Sequence, residues 1–122
     1  MKRLLVLLVL LHPLAWAEWT QVDETDRTVV YVDPDRVQKN AQFPTVWQLS
    51  DYRHPNQRGV RSSLNLIEFD CKGKKRRTLV FVSHSENMGE GQVIFKSLKP
   101  GQWHPVPHDS VAEQILGMAC EH

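Results

Sequence analysis

"RSSLNLIEFDCKGKKRRTLVFVSHS", residues 61–85, holds two apolar stretches joined by a basic, glycine-interrupted segment, and its reading decides the fold. Leu64-Asn65-Leu66-Ile67 and Leu79-Val80-Phe81-Val82 show little alternation between apolar and polar positions. Strands of that kind belong near the centre of a sheet with cover on both faces. Residues 61–71 and 77–85 therefore read as two central strands, and Lys72, Lys74, Lys75, Arg76 and Arg77, grouped around Gly73, mark the turn of a hairpin between them.

Four further segments extend the sheet outward. Residues 18–22 and 28–32 are short and rich in β-branched side chains, and Asp33-Pro34 ends the second, because proline's fixed φ favours a turn. Residues 35–40 read as a helical turn before a third strand, residues 43–52. Strand alternation there places Phe43, Thr45, Trp47 and Leu49 on one face and Gln48 and Ser50 on the other, which predicts one wet side. Residues 54–59 form a polar loop, Gly89-Glu90-Gly91 turns the chain into a sixth strand at residues 92–98, and the prolines at 105 and 107 keep residues 103–107 extended.

One convincing helix remains. Ser110-Val111-Ala112-Glu113 fits a capping box, and Val111, Ile115, Leu116 and Ala119 form an apolar stripe suited to covering the sheet. The expected fold class is α+β, with a single antiparallel sheet of about six strands and a C-terminal helix packed on one face.

The first 17 residues, MKRLLVLLVLLHPLAWA, have the basic start, apolar run and small-x-small ending of a cleavable export signal. His12-Pro13 interrupts the run short of the roughly 20 apolar residues a spanning helix needs. The expected organisation is a signal peptide over residues 1–17 and one domain over residues 18–122, in the periplasm or secreted. Glu18 follows the cleavage site where a lipoprotein would carry cysteine, so no lipid anchor is expected, and no integral membrane segment in the mature form.

Loss of Lys2 and Arg3 leaves 13 basic residues against 14 acidic ones, a net charge of −1 with histidines neutral. Attraction to an anion must therefore be local, in the hairpin. Export, the slightly acidic charge and the lack of aromatics between the basic residues argue against nucleic acid. In an oxidising compartment the two cysteines, Cys71 and Cys120, are expected to form a disulfide that pins the helix end to the base of the basic hairpin.

Catalytic and cofactor signatures are lacking. The prolines make His104-x-x-x-His108 extended, which removes the meaning of its spacing as a metal pair, and no phosphate-cradling glycine loop or nucleophile elbow occurs. In Ser83-His84-Ser85, neighbouring strand residues point to opposite faces, so the histidine is not set against either serine. Neither an enzyme nor a cofactor or metal is expected.

Trp19, Tyr31-Val32-Asp33-Pro34, Trp47-Gln48-Leu49-Ser50-Asp51-Tyr52, Ser62-Ser63, Glu68-Phe69-Asp70-Cys71, Arg76-Arg77, Gly89-x-Gly91, Trp103 and Cys120 together resemble the surface-adhesin protein E family of Gram-negative bacteria. The resemblance implies a curved sheet with a C-terminal helix fastened by a disulfide. It also implies adhesion to host matrix and serum proteins such as laminin and vitronectin, and dimer formation. Trp47, Asp70, Cys71, Arg76, Arg77 and Cys120 are the scaffold positions it carries over, with Asp70 or Glu68 placed to pair with Arg76 or Arg77 across the hairpin.

Two functions follow from these residues. In the first, Lys72, Lys74, Lys75, Arg76 and Arg77, aided by Arg58 and Arg61, meet an acidic protein or polyanionic glycan. In the second, the charged turn is simply a solvated hairpin tip, and the protein is a periplasmic structural or assembly partner acting through an apolar patch or a free strand edge. Trp19 and Trp103 are the candidate patch residues.

Overall fold

The computed structural model describes residues 18–37 and 42–120. The expected signal peptide, residues 1–17, lies outside the described residues, as do positions 38–40 of the expected helical turn. What is described of that turn is a short 3-10 segment, Pro34–Arg36, capped by the Asp33 carboxylate, which accepts from the Asp35 amide at 3.1 Å.

The strands follow one another as an up-and-down meander: β1 (Thr20–Glu24), β2 (Thr28–Val32), β3 (Thr45–Tyr52), β4 (Ser62–Asp70), β5 (Lys75–His84) and β6 (Val93–Ser97). Each pairs antiparallel with the next, and the sheet curls into a half-barrel. Register shifts between Gln21 and Asp23, Leu66 and Ile67, and Ser83 and His84 supply part of the curl, since an extra residue on one strand bends it and increases its twist. A two-residue strand, β7 (His104–Pro105), pairs with the first residues of β5, so the extended segment expected here lies beside the basic end of the hairpin.

Helix α1 (Val111–Cys120) lies over one end of the sheet and supplies the expected cover. Ile115 and Ala119 enter a core with Val32, Val46, Ile67 and Phe69, all essentially excluded from solvent. The Cys71–Cys120 disulfide, with Cα atoms 5.8 Å apart, ties the last residue of α1 to the residue after β4. The capping differs in detail from the expected box. Ser110 Oγ accepts from the Glu113 amide at 3.1 Å, whereas the Glu113 carboxylate reaches one residue further back, to the Asp109 amide at 2.9 Å.

The expectation of a wet side on β3 is corrected. Val46 and Leu49 point to opposite faces, and both are buried. Val46 meets the helix core, and the face carrying Leu49 lies under a 3-10 turn, Asn87–Gly89. That turn is held by side chains rather than by apolar periodicity. Asn87 Nδ2 donates to Asp51 Oδ1 at 3.0 Å, the Met88 amide donates to the same oxygen at 2.8 Å, and the Gly89 amide donates to the buried Ser62 Oγ at 2.9 Å. Each face of the central strands thus has a lid, but only the helix was foreseen.

Candidate functional site: the basic hairpin

The turn between β4 and β5 is a four-residue loop, residues 71–74, closed by Lys74 at a left-handed φ of 53°. Asp70, one of the two carboxylates expected to pair with an arginine, instead accepts from the Gly73 amide at 3.0 Å through Oδ1. A Cβ at Gly73 would meet Asp70 Oδ2 at 2.6 Å, so the glycine leaves room for that carboxylate. The base of the loop is fixed by the disulfide at Cys71 and by the Val106 amide, which donates to the Lys74 carbonyl at 2.9 Å.

The five cationic residues do not share one environment. Lys72, Lys74 and Lys75 are exposed, whereas Arg76 and Arg77 are half-buried. Arg77 Nε donates to Glu68 Oε1 at 2.7 Å, and the guanidinium lies 4.7 Å from the centre of the Trp103 ring. Trp103 also meets Phe43, with ring centroids 5.6 Å apart. Of the alternatives open in the sequence, Glu68 with Arg77 is the pair that forms, because they are register partners on adjacent strands. Arg76 is the register partner of both Phe69 and His104, and its Nε is buried without a hydrogen-bond partner among the described residues.

Three exposed lysines therefore remain as a cluster on a turn that backbone and disulfide hold in place. Arg58 and Arg61, named above as possible helpers, do not join it. Arg61 precedes β4 at the other end of that strand, and Arg58 belongs to the loop before it. Lys74 does have one acidic neighbour, Glu113, since its charge is among the groups that hold that carboxyl below its ordinary range. The larger cause is the Asp109 amide hydrogen bond, followed by the one from His108.

His108, Asp109 and Glu113 place ligand-type atoms within 4.8 Å of one another. The bonds of the Glu113 carboxylate to the His108 ring and to the Asp109 amide account for that grouping as part of the turn that starts α1. His104 sits in β7, apart from this turn in the chain, and the His104/His108 spacing has no helical meaning.

Neither tryptophan singled out in the sequence makes an exposed patch; both Trp19 and Trp103 are half-buried. Trp47, the third of these rings, is half-buried as well and receives the Arg36 guanidinium at 5.9 Å. The apolar surface lies elsewhere, on β6 and just beyond it, where Val93, Phe95 and Leu98 are 54%, 52% and 65% exposed. β6 pairs with β5 on one side and, among the described residues, with no strand on the other. Sequence reasoning missed this patch because the run Val93-Ile94-Phe95 looks like any buried strand.

Among the described residues no helix is long and apolar enough to cross a membrane. The family model described as Surface-adhesin protein E matches residues 19–121. Neither a curated protein nor a solved structure matches the chain significantly.

Proposed function

The chain belongs to the surface-adhesin protein E family and is an adhesin-like surface protein, and from that premise we propose an exported, non-catalytic module that binds an acidic protein or polyanionic glycan. Lys72, Lys74 and Lys75 carry the contact. The observation that supports this most is their exposure on a turn fastened by Cys71–Cys120, by β7 and by the Asp70 carboxylate. A charge cluster already held in place loses little conformational freedom on binding. Arg77, engaged with Glu68 and Trp103, positions the strand rather than the ligand, and Arg76 is likewise too buried to lead the contact.

Membership of this family points to an adhesin rather than an enzyme, and host matrix or serum proteins are the partner class that fits. Export rests on the signal-like residues 1–17. The test is retention of the exported protein on immobilised heparin, laminin and vitronectin at low and physiological salt. A Lys72→Ser, Lys74→Ser, Lys75→Ser variant is run beside it. The reading requires wild-type binding at physiological salt, steep weakening as salt rises, and loss of binding in the variant. Equal binding by both proteins, or by neither, removes the lysines from the function.

A second reading has its own observation. The exposed apolar edge at β6 fits strand addition to a partner or to a second copy, since an unpaired strand edge is a ready template for another chain. A sedimentation measurement across a hundredfold range of concentration, with Phe95→Lys as control, checks the homodimer form of it. A monomer throughout speaks against it.

A further inference from the structure

We propose that the end of the half-barrel opposite α1 is a binding site for a small amphiphilic anion, a carboxylate carried on an apolar chain or ring. This goes beyond the function proposed above and shares no residue with the lysine cluster.

A cavity of about 740 Å³ opens there, within the range of small-molecule sites. Its lining runs from Thr28 on β2 to Phe95 on β6, so it occupies the inside of the curl that α1 leaves uncovered. The walls are largely apolar. Tyr52, Phe81 and Phe95 face it together with Val60 and Ile94, and the Phe81 and Phe95 rings meet at 6.1 Å and 53°. Phe95 is half exposed, so apolar surface remains here for a ligand to cover.

The charge around the mouth has one sign. Arg27, Arg58 and His54 contribute to the lining, and among the described residues no aspartate or glutamate does. Four arginines lie in the segments at this end, and their engagement differs. Arg53 is paired with Glu24, whereas Arg27, Arg58 and Arg61 take part in no salt bridge among the described residues. The two arginines that line the cavity both lack a carboxylate partner among the described residues, and a guanidinium fork suits a carboxylate through paired hydrogen bonds.

Both are carried on segments set before any ligand arrives. Asn56 Oδ1 accepts from the Arg58 amide at 2.8 Å and the Val60 amide at 3.0 Å, which shapes the loop bearing Arg58. The Arg27 amide donates to Thr25 Oγ1 at 3.1 Å, and its carbonyl accepts from the Arg53 amide at 2.9 Å. An apolar tail among the aromatic rings with its carboxylate between Arg27 and Arg58 satisfies the walls and the mouth at once. A cationic amphiphile satisfies only the walls.

The experiment titrates the exported protein with decanoate, with decyltrimethylammonium and with phosphatidylglycerol vesicles, by calorimetry and by amide NMR shifts. Expected are saturable one-site binding of decanoate with shifts at Tyr52, Phe81 and Phe95, and binding of the cation at least tenfold weaker. Arg27→Gln with Arg58→Gln should weaken decanoate at least tenfold while leaving heparin retention within twofold. Phe95→Asp, at an exposed edge position, should also weaken it and gives a second variant should the first lose its circular dichroism spectrum. Absence of saturable decanoate binding, or equal binding of both amphiphiles undiminished by the arginine changes, overturns the proposal. So does binding to the vesicles alone, or joint loss of decanoate and heparin binding in the arginine variant.

Discussion

The two ends of the half-barrel are made from the same strands and treat their cations differently. At the end reached by the β4–β5 hairpin, α1 plugs the curl, a disulfide fastens the plug, and β7 lies along the start of β5. Lys72, Lys74 and Lys75 sit above a filled core and can act only outward, on something that approaches the surface. At the other end no helix among the described residues closes the curl, and Arg27 and Arg58 border a cavity floored by aromatic rings. A positive cluster is thus interpreted by what lies behind it. Packing behind the charges makes a platform for a macromolecule, and a hollow behind them makes a site for something that enters.

The largest effect that separates the ends should come from paired truncations of phenylalanine. Phe69→Ala removes a fully buried ring from the plugged end and should cost about 3–5 kcal/mol in denaturant unfolding. Phe81→Ala, in the wall of an existing cavity, should cost clearly less, because the ring is half-buried and already borders open space. Equal losses would mean that the open end is as tightly packed as the closed one.

Removing the Cys71–Cys120 bond comes next. It closes a loop over a sequence separation of 49, and its loss should cost about 4 kcal/mol on chain-entropy grounds. Hydrogen exchange should show amides of α1 opening before those of β2 and β3. Uniform loss of protection would show that the bond supports the whole sheet rather than its closed end.

Within the hairpin the contrast narrows to single charges. Arg77→Ala should cost about 1–2 kcal/mol, since it removes a partly exposed ion pair and the stacking on Trp103. Lys75→Ala, on an exposed side chain, should stay within about 0.5 kcal/mol. A reversed order in thermal unfolding would break the division between positioning arginine and presented lysines.

The smallest effect is at the helix cap. Glu113 has its carboxyl held below the ordinary glutamate range, first by the Asp109 amide and then by His108. A depressed value in the folded state means that the carboxylate contributes stability above the unfolded value, and that this is lost as pH falls through the folded one. Glu113→Gln should therefore melt slightly lower than wild type at neutral pH, and the two should converge in acid. A difference that persists unchanged in acid would assign the effect to packing.

The hairpin, the helix stripe and the disulfide were legible because each leaves a local mark: an apolar run, a capping serine with a glutamate three residues on, two cysteines in an exported chain. The cover over Leu49 left none. Its contacts are hydrogen bonds from Asn87, Met88 and Gly89 to Asp51 and Ser62, groups more than 25 residues apart in the chain, and no periodicity reports such bonds. The alternation in β3 misled for the same reason, since Val46 and Leu49 are buried under different lids. The basic cluster was visible as five charges, and so was the pairing of an arginine with Asp70 or Glu68, but not which pair forms. Glu68 across the hairpin hinted at one engaged arginine, whereas Trp103 arrives from a distant segment. The cavity gathers residues from four stretches of the chain, 27–28, 52–60, 81–83 and 94–95, and no single one announces it.

The most direct measurement is an amide NMR titration of the exported protein with a heparin oligosaccharide, in low and in physiological salt. The account requires shifts confined to residues 71–77 and their β7 neighbours, weaker at higher salt, with Tyr52, Phe81 and Phe95 unmoved. Shifts centred on the open end, or no shifts at either salt, would contradict the claim that the fastened lysine turn is the anion-binding surface.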